Sequence, residues 1–236
     1  RITGNRNGKV YLLCTDGVAE FDLATQRFKT LLQGNVDAIY FNEKLYIGKR
    51  EEVFVYNEST GNFDLFYHLA GKNITLSCLH LDKNKNLWMG TTSNGIYCLS
   101  EDKSLSRPVT KGNITSIYED SSNELWIGSW EEGLYRVKTD GNIENLRHNP
   151  MNTNSLCSNF VRSCCEDNSG DLWIGTFNGL NRYDRETGKF HLYTANGNSP
   201  DGLTHSSIWC IVKDGQGTIW LGTYFGGVNY FNPEYE

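Results

Sequence analysis

Four aromatic residues stand just past a Gly-Ser or Gly-Thr pair: Trp130, Phe177, Tyr224 and Phe225. At the matching places elsewhere the chain carries Thr92 or Arg50. Glu131 and Asn178 adjoin the rings, and two long connections, 147–159 and 194–206, add Arg147, His148, Asn149, Asn196, Asp201 and His205. Aromatic platforms beside Arg, Asn and acidic groups suit a sugar, whose apolar face stacks on a ring while its hydroxyls need donors and acceptors. The candidate ligand-binding set is therefore Arg50, Trp130, Glu131, Arg147, His148, Phe177, Asn178, His205, Tyr224 and Phe225. The competing explanation is packing of these rings between neighbouring repeats.

Other chemistry is less well supported. Glu51-Glu52 and Glu131-Glu132 are paired carboxylates, and glycoside hydrolysis needs two such groups at a defined separation. Adjacent residues on one strand or loop rarely face the same substrate. No Ser-His-Asp set, phosphate loop or cysteine with a supporting histidine is recognisable. Asp82-Lys83-Asn84-Lys85-Asn86 lacks the central Gly and distal Glu of a calcium loop, so its Asp is assigned to the turn amides. Of the seven cysteines none forms a C-x-x-C pair, and most fall where sister repeats carry Ser, Thr, Ile or Tyr. They read as small buried hydrophobes, and neither a metal nor a cofactor is expected. Arg136 and Arg182, at matching repeat positions, read as bridges between repeats.

The elements that must position these residues come from an internal repeat. Its clearest copy runs Glu166-Asp167-Asn168-Ser169-Gly170-Asp171-Leu172-Trp173-Ile174-Gly175-Thr176, then Gly179-Leu180-Asn181-Arg182-Tyr183-Asp184 and Thr187-Gly188-Lys189-Phe190. The central aromatic recurs at Tyr11, Tyr46, Trp88, Trp126, Trp173 and Trp220, in steps of 35, 42, 38, 47 and 47 residues. Such steps match a four-stranded propeller blade. Leu125-Trp126-Ile127-Gly128 is apolar enough for a strand buried on both faces, and the third strand of each copy alternates. The expected fold is an all-β propeller, a single segment over 1–236, with blades near 1–33, 34–70, 71–110, 111–148, 149–200 and 201–236. The first copy begins within a pattern and the last stops before its outer strand. Six motifs fit a six-bladed ring or a seven-bladed one lacking a blade, and the second is favoured because an open array leaves unpaired apolar faces.

Composition narrows the function. A net charge of −6 gives no basic face for phosphates, which argues against nucleic acid as a partner. No apolar run approaches the roughly 20 residues that span a bilayer.

The residues 170–176, 179–184 and 187–190, together with the linker from Asn149-Pro150 through Ser155-Leu156, closely resemble the two-component regulator propeller repeat. The first two copies diverge, with Tyr11 and Tyr46 for Trp and Glu52 for Gly. Such repeats typify the periplasmic sensor region of Bacteroides-type hybrid two-component systems. The resemblance implies a non-catalytic segment of an inner-membrane sensor histidine kinase. It further implies an oligosaccharide ligand, an adjacent propeller or β-sandwich of the same chain, and a homodimer in the full protein. The alternatives are a protein-interaction scaffold and a glycan-cleaving propeller enzyme.

Overall fold

The computed structural model describes residues 1–4, 8–71, 73–195 and 202–235. Asn196 and Asp201 of the second long connection lie outside the described residues. The fold is all-β and of the propeller type, built from successive antiparallel sheets, one for each sequence motif. The chain divides into two compact units, Arg1–Asn113 and Ile114–Glu236.

The first unit holds three four-stranded sheets. They are β1–β4 (Ile2–Gly4, Lys9–Cys14, Gly17–Asp22, Arg27–Gln33), β5–β8 (Ala38–Asn42, Lys44–Lys49, Glu52–Asn57, Asn62–His68) and β9–β12 (Leu76–Leu81, Leu87–Thr91, Ile96–Leu99, Leu105–Val109). The second unit holds β13–β16 (Asn113–Glu119, Leu125–Trp130, Leu134–Val137, Ile143–Leu146) and β17–β20 (Val161–Glu166, Leu172–Thr176, Gly179–Asp184, Lys189–Tyr193). Its last sheet has three described strands, β21–β23 (Ile208–Lys213, Ile219–Thr223, Val228–Phe231), followed by a single 3-10 turn at Pro233–Tyr235.

The second strand β18 is apolar on both faces because a neighbouring blade of its unit covers each side. Leu125, Trp126 and Ile127 are all buried, as are Leu172, Trp173 and Ile174. The glycine closing the run permits the approach of the next inner strand. A Cβ on Gly175 would lie 2.7 Å from Ile208 Cγ2, and one on Gly128 would lie 2.9 Å from Val161 Cγ1.

The Asp-rich turns are structural. The indole N–H of Trp88, Trp126, Trp173 and Trp220 donates to Asp82, Asp120, Asp167 and Asp214 at 2.7–2.9 Å. The other carboxylate oxygen of each Asp accepts backbone amides of its own turn, as Asp167 Oδ1 does from Ser169 and Asp171. One acid thus caps a turn and satisfies a buried indole.

Arg136 and Arg182 differ from the sequence expectation. Arg136 pairs with Glu124 at 2.7 Å and Arg182 with Asp171 at 3.6 Å, each within its own blade. Both stand directly opposite a tryptophan in the ladder, Arg136 opposite Trp126 and Arg182 opposite Trp173, so they reach acids on their own sheet. The bridge between blades is Arg185, which contacts Asp120 of the preceding blade and Glu166 of its own, both at 2.9 Å. Glu166 also accepts from the backbone N–H and the hydroxyl of Ser121. Tyr118 accepts the amide of Glu166, and burial pushes its phenol up to about 12.

No disulfide joins any of the seven cysteines. Five are buried or half-buried, whereas Cys14 and Cys210 are exposed. Burial pushes Cys98 and Cys165 up to about 11 and raises Cys78, Cys157 and Cys164.

Arg185→Ala leaves two buried carboxylates without their cation, so it should lower stability by about 3–5 kcal/mol in urea unfolding. A loss below about 1 kcal/mol would contradict the bridge. An aromatic disulfide reagent at pH 8 should titrate two thiols rapidly in the native chain and the other five only after unfolding, since thiolate is the reactive form.

Candidate functional site

The loop joining the second and third strands is held by a repeated hydroxyl. Thr91, Ser129, Thr176 and Thr223 donate to the carbonyls of Gly95, Gly133, Gly179 and Gly227 at 2.8–3.0 Å. Gly133 has a φ of 82°, and a Cβ there would lie 2.5 Å from the Leu146 carbonyl oxygen, so the turn requires glycine. The first loop residue is then tied to the chain just before the inner strand. Phe177 donates its amide to Phe160, Tyr224 to Ser207, and Thr92 to Thr75, at 2.9–3.0 Å. Trp130, Phe177 and Tyr224 therefore sit on a rigid frame at the same end of their blades.

The inner strands bring a second set of side chains to that end. In β17 the register slips between Val161 and Ser163, and in β21 between Ile208 and Cys210. Arg162 and Trp209 are the extra residues of these β-bulges, which release them from the strand's alternation and re-aim their side chains. The guanidinium of Arg162 lies over both indoles, 4.1 Å from the Trp130 ring and 3.9 Å from the Trp209 ring. A delocalised, weakly hydrated guanidinium stacks well on aromatic faces.

A stripe results across three blades of the second unit. On one side of Arg162, Trp130 meets Phe160 at 4.8 Å and Phe177 at 6.3 Å. On the other, Trp209 stacks on Tyr224 at 5.2 Å and 18°. Tyr224 abuts Phe225 at 4.1 Å, and His205 lies 6.0 Å from Phe225. His205 Nδ1 accepts the Ser207 amide, which leaves Nε2 as the ring's other polar atom. Phe177, Trp209, Tyr224 and Phe225 are exposed, and Trp130, Phe160 and Arg162 are half-buried. An open row of rings with a cation and polar edges stacks apolar faces and grips hydroxyls at their margins.

The structure thus brings together Trp130, Phe177, His205, Tyr224 and Phe225, with Asn178 exposed beside Phe177. Arg147 is engaged elsewhere: its guanidinium pairs with Glu132 and donates to the Glu131 carbonyl. His148 is fixed by its ring Nδ1 on the Leu156 carbonyl and by its amide on Asn159, both at 2.8 Å. Arg50 belongs to the first unit, where its amide donates to Asp37 and it lines a hollow of about 560 Å³ with Lys49 and Glu51. Among the described residues no group of three or more His, Cys, Asp or Glu could hold a metal ion. Phe160, Arg162 and Trp209 were not identified from the sequence. Aligning the inner strands would have marked them, because Ser77 and Thr115 occupy the place of Arg162 and Trp209 in other blades.

The model of the two component regulator propeller matches residues 68–93, 108–131, 155–178 and 202–225. Four of the chain's repeats are thus similar to the two component regulator propeller repeat. The last three matched segments carry every residue of the stripe. Two solved extracellular domains assigned to hybrid two component systems of B. thetaiotaomicron share the fold, at 23% identity with a TM-score of 0.52 and at 18% with 0.56. The chain spans 38% and 39% of their lengths, and 100% and 97% of it is covered. A virginiamycin B lyase from Staphylococcus aureus shares the fold at 13% identity with a TM-score of 0.72, covering 100% of this chain and 84% of that one. A comparison with curated protein sequences yields no match. No helix of the described residues is long and apolar enough to cross a membrane.

Arg162→Met removes the cation between the two indoles and keeps a similar stem. The loss should be about 0.5–2 kcal/mol of stability, with a changed tryptophan emission from Trp130 and Trp209. Unchanged emission would contradict the stacking.

Proposed function

We propose that this chain is the ligand-recognising propeller of a periplasmic sensor region, which detects a glycan fragment and passes the signal to a histidine kinase. The observation that carries the reading is the stripe in which Arg162 is held between Trp130 and Trp209 and continues into exposed Tyr224 and Phe225. Sugars suit it because their C–H faces stack on rings while the Arg162 and His205 edges offer polar contacts. The two component regulator repeats and the extracellular domains of similar fold support a sensor over an enzyme. Signalling requires that the ligand bind one arrangement of the sensor better than another, because equal affinity shifts no equilibrium. An adjoining propeller or β-sandwich would complete the site, and a dimer would transmit the change.

The carboxylate pairs lend little to a glycan-cleaving reading. Glu132 is paired with Arg147, and Glu52 lies 3.6 Å from His68. Likeness to the lyase at 13% identity is likeness of fold.

Calorimetry of the complete sensor region against a panel of neutral and acidic oligosaccharides tests the reading. We expect binding by at least one saccharide, weakened tenfold or more by Trp209→Ala and by Tyr224→Ala, with folding intact. Each stacked ring is worth about 0.5–1.5 kcal/mol beyond the apolar area that it buries. A protein partner bound in the absence of any saccharide affinity would favour the scaffold alternative.

A further inference from the structure

The junction of the first two sheets, β1–β4 and β5–β8, holds a hollow of about 490 Å³. Tyr11 and Phe41 line it, stacked at 5.4 Å and 25°, with Tyr56, whose ring meets Phe63 at 5.0 Å. Glu43, Glu58 and Asp64 stand exposed at its margin, as does Lys44. Glu20 is directly opposite Tyr11 in the ladder and pairs with Lys9 at 3.3 Å. Four acids therefore face two lysines. Asp64 already accepts from Asn57 at 2.9 Å, whereas Glu43 and Glu58 have no ion pair among the described residues. Tyr11 is only 1% exposed, yet it lines the hollow, and its phenol has no hydrogen-bond partner among the described residues. Burial, and then the charge of Glu20, raises its pKa, so the hydroxyl is neutral and its oxygen can accept. A buried polar group without a partner calls for a ligand or water to meet it.

Register shows what other junctions place here. Tyr46 opposes Val55 as Trp173 opposes Arg182, so Glu58, three residues on, takes the place of Arg185. Arg185 itself sits between Asp120 and Glu166, 5.8 Å from the Trp126 ring. At the junction of β5–β8 with β9–β12 the corresponding hollow, beside Tyr46, is about 200 Å³. Lys103 lies there 4.9 Å over the Phe66 ring, and Lys85 pairs with Glu101 at 3.2 Å. Both junctions thus set a cation of the chain against an aromatic ring. The first junction keeps the rings, is more than twice as roomy, and carries an acid where Arg185 carries its charge.

We propose that this hollow is a binding site for an organic ammonium ion, which takes the place that Arg185 and Lys103 fill in their own junctions. Its charge would lie against Tyr11, Phe41 and Tyr56, whose ring faces attract cations. Its N–H groups would donate to Glu58 or Glu43 and to the Tyr11 hydroxyl oxygen. An acidic cleft with apolar walls concentrates cations and repels anions, so acidic saccharides are poor occupants. The claim is independent of the aromatic stripe, whose residues all lie in the second unit.

Calorimetric titration of the chain with 1,5-diaminopentane and with glucosamine tests the assignment, beside the neutral counterparts 1,5-pentanediol and N-acetylglucosamine. It is run at about pH 6, where amino groups are charged. At least one amine should bind saturably, and its neutral counterpart at least tenfold more weakly. Binding by the diamine alone identifies a free amine as the ligand class, and by glucosamine alone the amino group of a saccharide. Glu58→Gln and Tyr11→Phe should each weaken it, the first tenfold or more, with the cooperative thermal transition retained. Glu58→Arg, which supplies the missing cation, should abolish binding while the melting temperature holds or rises. Amines and neutral counterparts bound alike, amine binding untouched by Glu58→Arg, or no binding by either amine would overturn the proposal.

Discussion

The central tryptophan of β14 and of β18 makes two demands, and the blade exists to meet them. Its indole N–H is buried and needs an acceptor, which the turn Asp supplies; its ring needs an apolar cover, which the next blade supplies. The first demand fixes the turn between the first two strands, since Asp120 accepts from Trp126 and from the amides of Ser122 and Glu124. The second fixes the spacing of blades, with Tyr183 edge-on to Trp126 and Gly128 giving room to Val161. Arg185 then locks the same junction with Asp120 and Glu166. Removing one partner of such a buried pair leaves an uncompensated charge, so the three side chains hold the junction together.

A scaffold held so firmly leaves its loop ends free to vary. The hydroxyl of Ser129, Thr176 or Thr223 pins each second-to-third loop, and the side chain of the following residue takes no part in that bond. Trp130, Phe177 and Tyr224 occupy that place. The bulges at Arg162 and Trp209 bring inner-strand side chains to the same end, and the guanidinium joins two aromatic groups that would otherwise be separate. Binding residues set on a rigid frame need little ordering when a ligand arrives.

The fold was legible because its constraints repeat. Trp at steps of 38 and 47, Gly-Thr or Gly-Ser after it, and an Asp six residues before it each follow from a packing or hydrogen-bonding need that recurs in the last four motifs. The site was legible in part, since Trp130, Phe177, Tyr224 and Phe225 depart from their sister positions. Arg162, Trp209 and Phe160 escaped because strict alternation assigns inner-strand residues to one face or the other, and a bulge breaks that rule. Arg147 and His148 looked available in sequence, yet Glu132 and the Leu156 carbonyl engage them. Arg185 was passed over in favour of Arg136 and Arg182 because a bridge between blades depends on which side of the third strand a residue leaves.

The stripe around Arg162 is the central claim, and fluorine NMR of the protein labelled with fluorotryptophan tests it most directly. Titration with a binding saccharide should shift the resonances of Trp130 and Trp209 and leave those of Trp126 and Trp173 in place. Saturation with ligand that moves neither Trp130 nor Trp209 would contradict the account.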